Sequence, residues 1–125
     1  SLATEQDVKA VAMYVASLPR KPHEYTVTTQ GASVEHGKQL FATCTACHGA
    51  DAAGNQALNA PMLADADDWY LYGQLIKFKA KIRGDAAVDP IGATMQAMSN
   101  TLPDEQAMKD VIAYIKTLPV PPKKG

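Results

Sequence analysis

Residues 44–48 read Cys44-Thr45-Ala46-Cys47-His48, and they hold both cysteines of the chain and one of its three histidines. Two thiols three positions apart, closed by an imidazole, form a set of ligands before anything else is known about the chain. Which chemistry they serve depends on the elements around them.

The chain has 125 residues, enough for one domain with a proper core and too few for two comfortable ones. Its composition is 46% apolar and 20% charged, which is ordinary for a globular protein, and its formal net charge of -1 gives no global electrostatic case for nucleic acid. No run of eighteen apolar residues occurs, so no membrane-spanning helix is expected. The start, SLATEQDVKAV, lacks a basic stretch followed by an apolar one and reads as a mature or trimmed terminus.

Four segments carry helical periodicity, and strand alternation is confined to a weak TVTT at 26–29. A helix is expected from about Thr4 to Leu18, with Val8, Val11, Val15 and Leu18 on one face. A linker with two prolines and a glycine follows to Ala32. A second helix should run from about Val34 into the cysteine motif, with Gly37, Leu40 and Phe41 on a shared side. After an Ala-, Gly- and Asn-rich loop, a third spans Asp67 to about Ile82 and closes at Gly84. Asp89-Pro90 opens a short helical turn through Met95. The last helix covers about Pro103 to Leu118, with Asp104 and Glu105 suiting the dipole in its first turn, and PVPPKKG forms a stiff basic tail. The fold class is all-α.

That pattern decides among the chemistries open to the motif. A thioredoxin-like dithiol needs a βαβ setting, which this chain lacks. A structural zinc needs four ligands, and the fourth would have to be the distant His23 or His36. Covalent haem attachment remains, for which Cys-x-x-Cys-His is the signal. Cys44 and Cys47 would add to the two vinyl groups and hold His48 under the iron as proximal ligand. One haem c per chain is expected.

Aligned against itself, the chain repeats: LATEQDVKAVAMYVASLP at 2–19 matches LPDEQAMKDVIAYIKTLP at 102–119, with eight of eighteen positions identical. Amphipathic helices share such patterns by chance, but the match also suggests that residues 1–19 are the closing helix of a preceding copy of the domain. The organisation read from the sequence is then a helix at 1–19, a linker at 20–32, one domain at 33–119 and a basic Pro-rich tail at 120–125.

EHGKQLFATCTACHG, NAPMLA, WYLYGQLIKFKAKIRG and GATMQAMSNTLPDEQAMKDVIAYIKTLP follow one another in an order that resembles a class I cytochrome c. The resemblance covers 33–119 and is nearest to one half of the tandem dihaem cytochromes (the c-four group) and to the cytochrome domains fused to haem–copper oxidase subunit II. It implies three main helices around a covalent haem, with an extra N-terminal helix. It also implies that Gly37 and Phe41 meet Tyr114, and that the Pro61 carbonyl accepts the Nδ1 proton of His48. The sixth ligand should be Met95, with Met98 as the alternative three residues on. Met13 and Met108, on the repeated helix stretches, are expected in packing roles, and Met62 stands too close to the proximal loop to serve. Trp69, Tyr70, Gln74 and Arg83 fall where the family places haem-edge and propionate contacts. Arg83 is the better propionate partner, since its fork matches a carboxylate. Lys81 departs from the pattern, because relatives often carry glycine before Ile-Arg-Gly. His36 and His23 are read as solvated histidines.

A haem held by His48 and a methionine has no vacant iron site, so the resemblance implies one-electron transfer in a respiratory chain by a protein that is not itself an enzyme. Its partners would be redox proteins, namely a quinol-oxidising complex on one side and a terminal oxidase or reductase on the other. The same residues also suit an electron-entry domain of a larger oxidase or reductase or, with a labile methionine, a haem peroxidase or gas sensor. The bacterial periplasm is the implied location.

Overall fold

The computed structural model of the chain describes residues 3–19 and 29–122. Its helices are α1 (Glu5–Ser17), α2 (Val34–Phe41), α3 (Thr45–His48), α4 (Asp68–Lys79), α5 (Pro90–Met98) and α6 (Glu105–Ile115), with 3-10 turns at Gln56–Leu58 and Ser99–Thr101. Among the described residues the only β pairing is an isolated bridge between Asn55 and Ala60, so the fold is all-α. His23 and nearly all of the TVTT stretch lie outside the described residues.

The centre of the domain is the crossing of α2 on α6. Its closeness is set by Gly37: a Cβ there would stand 1.8 Å from the backbone oxygen of Asp110, well inside any real contact. One turn along, the rings of Phe41 and Tyr114 meet with centroids 5.5 Å apart and planes tilted by 47°. The missing side chain lets the backbones touch, and the aromatic pair fills the wedge on either side. Around them Leu71, Leu102, Ala107, Met108, Val111, Ile112 and Ile115 complete the core.

Boundaries differ from the sequence reading where a local signal outweighs periodicity. The second helix does not continue into the motif; α2 stops at Phe41 and a turn at 42–44 separates it from α3. Asp104 is the cap of α6 and not its first turn, its side chain accepting from the Ala107 N–H at 2.8 Å. The helix begun at Asp89-Pro90 runs on to Met98, three residues further than expected.

The expected helix at 4–18 is present as α1 and closed by a capping box at Thr4, yet none of its residues is buried. Val8, Val11, Val15 and Leu18 all face solvent, so this helix does not cover its apolar stripe on the domain in the same chain.

Candidate functional site

Cys44 caps α3, and Cys47 and His48 lie in it, so one short turn carries the whole ligand set. The thiols are three residues apart, which puts them on one side of the turn, and both are free. Burial pushes the Cys44 thiol up, a hydrogen bond with Thr43 working against this and nearby Cys47 adding to it; Cys47 is exposed.

His48 is 7% exposed, and its Nδ1 lies 2.8 Å from the carbonyl oxygen of Pro61. A carbonyl can only accept, so Nδ1 carries the proton and Nε2 keeps its lone pair. The loop that brings Pro61 to this position is tightly wound. Gly49, at φ +83, turns the chain directly after His48, and the Gly54 N–H donates to the His48 carbonyl at 2.8 Å. A side chain at Gly54 would collide with Met62 N, Ala60 O and Pro61 C at 2.6–2.8 Å. The loop therefore returns against its own start, and the proline carbonyl sits under the imidazole as a result.

The methionines divide cleanly. Met108 is in the core, Met62 packs against it, and Met13 on α1 is 74% exposed. Met95 and Met98 are half-buried, both on α5. That helix is tied to α4 through the turn between them. The Gln96 amide donates to the Arg83 carbonyl at 2.9 Å, and the Arg83 guanidinium donates to Gln74 Oε1 at 2.7 Å. The same guanidinium lies over the Phe78 ring, 4.7 Å from its centre. Gln74 and Arg83 are thus brought together, whereas Trp69 and Tyr70 stand exposed at the start of α4 with their rings edge to face at 6.2 Å.

Sequence reasoning overlooked one cluster beside the site. His36 is not simply solvated: its Nδ1–H donates at 2.7 Å to Asp110, a carboxylate only 3% exposed. The Ser33 N–H and the Gln106 amide also donate to Asp110, at 2.8 and 2.9 Å. Burial alone would raise its pKa, but these three donors outweigh it and hold the carboxyl below its ordinary value. The available signal was an acidic residue interrupting the apolar stripe of the last helix.

Two free thiols on one turn, followed by an imidazole oriented through Nδ1, fit a covalently held haem c. They do not fit a bare ion: among the described residues no group of three His, Cys, Asp or Glu side chains is placed to hold one. The family model for cytochrome c matches residues 34–119, and the chain belongs to that family. It is 45% identical over 74 residues to the Cbb3-type cytochrome c oxidase subunit FixP of Sinorhizobium medicae, which covers 58% of this chain and 23% of that protein. To subunit CcoP of Rubrivivax gelatinosus the identity is 42% over 65 residues, 52% of this chain and 19% of the relative. A thiosulfate dehydrogenase electron acceptor of Stutzerimonas stutzeri is 37% identical over 78 residues, covering 62% and 32%. The chain thus spans about a third or less of the length of these relatives. No solved structure matches it significantly. The protein is an electron-transfer domain with haem c as its covalent cofactor.

Proposed function

We propose that this domain relays single electrons in a respiratory chain through a haem c attached at Cys44 and Cys47 and ligated by His48 and Met95. The observation that carries the reading is the 2.8 Å contact between His48 Nδ1 and Pro61 O, in a loop that begins at the cysteine motif. It fixes the tautomer, aims Nε2 away from the loop and raises the basicity of the ring. When bound, haem c supplies a reversible ferric–ferrous couple; the protein sets its potential through ligands, burial and hydrogen bonds. Arg83, steadied by Gln74 and Phe78, keeps further N–H groups for a propionate. Trp69 and Tyr70 supply apolar surface for the haem edge.

Optical spectra test the ligand set. Wild-type ferrous protein should show no change on adding carbon monoxide, because both axial positions are filled. M95A should bind it with a shifted Soret band, while M98A should behave as wild type. The reverse pattern would assign Met98, and a shift in the wild type would move the peroxidase or sensor reading forward.

A terminal oxidase as the electron's destination is supported by the oxidase subunits among the relatives, and such a domain would face the bacterial periplasm. The oxidase subunits among the relatives support the electron-entry reading beside that of a carrier. Purified chain mixed with a Cbb3-type oxidase under oxygen should be reoxidised at a rate that saturates with oxidase concentration; no acceleration over autoxidation would leave the carrier reading.

The helix at 1–19 is best understood as the closing helix of a preceding cytochrome domain. Thr4 and Asp104, 100 residues apart, both cap their helices by accepting from the backbone three residues on. Met108, Val111, Ile112 and Ile115 are buried in α6, and their counterparts Val8, Val11, Ala12 and Val15 are exposed in α1. A mass measurement on the native polypeptide distinguishes two haems from one.

A further inference from the structure

The lysine that closes α6 ties two carbonyls of one loop at once. Lys116 Nζ donates to the carbonyl of Ala66 at 2.7 Å and to that of Ala64 at 3.3 Å. These carbonyls belong to the outgoing arm of the loop whose Pro61 oxygen meets His48.

Backbone hydrogen bonds hold the near side of that arm. Asn55 and Ala60 exchange backbone hydrogen bonds at 2.8 and 3.0 Å, and the Ala52 carbonyl accepts from the Leu63 and Ala64 N–H groups at 2.9 and 3.2 Å. Both tie the loop to itself, while Ala64 lies in the buried core and Leu63 and Ala66 pack against it. Lys116 adds a charged, directional tie from the end of the helix that crosses α2 at the centre of the core. Ala64 is 1% exposed, so its carbonyl has little water to replace a lost donor.

We propose that Lys116 is a positioning residue for the proximal histidine. Resting on the haem reading above, it staples the Ala64–Ala66 arm to α6 and so holds the Pro61 carbonyl at hydrogen-bonding distance from His48 Nδ1. Burial of the ammonium lowers its pKa, with the carboxylates of Asp67, Asp65 and Asp68 opposing that shift. A charged donor on two carbonyls is a stronger tether than a neutral one. Without the staple the arm is held less firmly, the bond to Nδ1 weakens, and His48 becomes a less basic ligand. A less basic ligand favours the ferrous state and raises the potential.

The test compares wild type, K116M, K116Q and K116R as haem-loaded full-length chains. Each is read by midpoint potential, by the His48 Nδ1–H resonance of the ferrous protein and by thermal denaturation. K116M should raise the potential and move the Nδ1–H signal upfield, with its exchange about tenfold faster, as expected for one weakened hydrogen bond. K116R, which keeps donors at the carbonyls, should restore both. Should K116M not take up haem, K116Q is read in its place, being shorter and uncharged. A variant that only melts earlier, with wild-type potential and Nδ1–H signal, overturns the proposal. So does a K116R protein shifted as far as K116M, since packing alone would then account for both. Wild-type chain without covalent haem would instead refute the underlying reading.

Discussion

Asp110 shows at the scale of one residue how this domain uses a buried charge. Its carboxylate sits at the α2–α6 crossing and accepts from Ser33, His36 and Gln106. Since its folded pKa is depressed, it contributes stability above the ordinary carboxylate pKa of about 3.9 and loses it as pH falls through the folded value. D110N keeps the shape but removes the charge, so its three donors meet a weaker acceptor. It should cost about 1.5–3 kcal/mol at neutral pH and flatten the acid limb below about pH 4. Thermal melts of both proteins from pH 7 down to pH 3 check this: equal acid sensitivity in wild type and variant would show that another carboxylate governs the acid limb.

Helix ends are decided one element at a time, and α4 is the instructive case. Periodicity carries on to Ile82, but the helix stops at Lys79. The Ile82 N–H donates to the Lys77 carbonyl at 2.9 Å and the Lys81 N–H to that of Phe78 at 3.1 Å, the paired bonds of a Schellman ending. This ending puts Lys81 in the left-handed region at φ +62. A glycine at this position would meet the same geometry without a Cβ penalty. K81G should therefore raise stability by about 0.5–1 kcal/mol, measured by chemical denaturation; a loss would mean that the lysine side chain contributes more than its backbone costs. At the α2–α6 pair the sign is opposite. G37A drives a methyl into the Asp110 carbonyl, and a backbone contact cannot rotate away. It should destabilise by about 3 kcal/mol or more, at the upper end for overpacking, and lower the yield of holoprotein at 37 °C.

For the whole molecule, the question is what α1 belongs to. With every residue exposed it adds nothing to the core of this domain. Deleting residues 1–19 should change the melting free energy of the haem-loaded domain by less than about 0.5 kcal/mol. A larger loss would mean that α1 packs on this domain in solution. The covalent haem and the all-α class were legible from one pentapeptide and four periodic stretches, because bond-forming groups and helix faces are local properties of a chain; the family came from the order of its motifs. Roles for Pro61, Trp69, Tyr70, Gln74, Arg83 and Met95 came from the order of motifs, a weaker guide.

The chain by itself determined the thiols and imidazole at 44–48, the helical stretches and, through the resemblance its motifs carry, the glycine and aromatics of the helix crossing. Each of these depends on residues within a few positions or on a single helix face. Only the tertiary structure decided what reaches across: Asp110 accepting from His36 74 positions away, and Lys116 holding carbonyls 50 and 52 positions back. Lysines and aspartates are ordinary on exposed helix faces, so nothing local distinguishes one that will be buried. Their roles exist only once α6 has been laid against both α2 and the loop beneath His48.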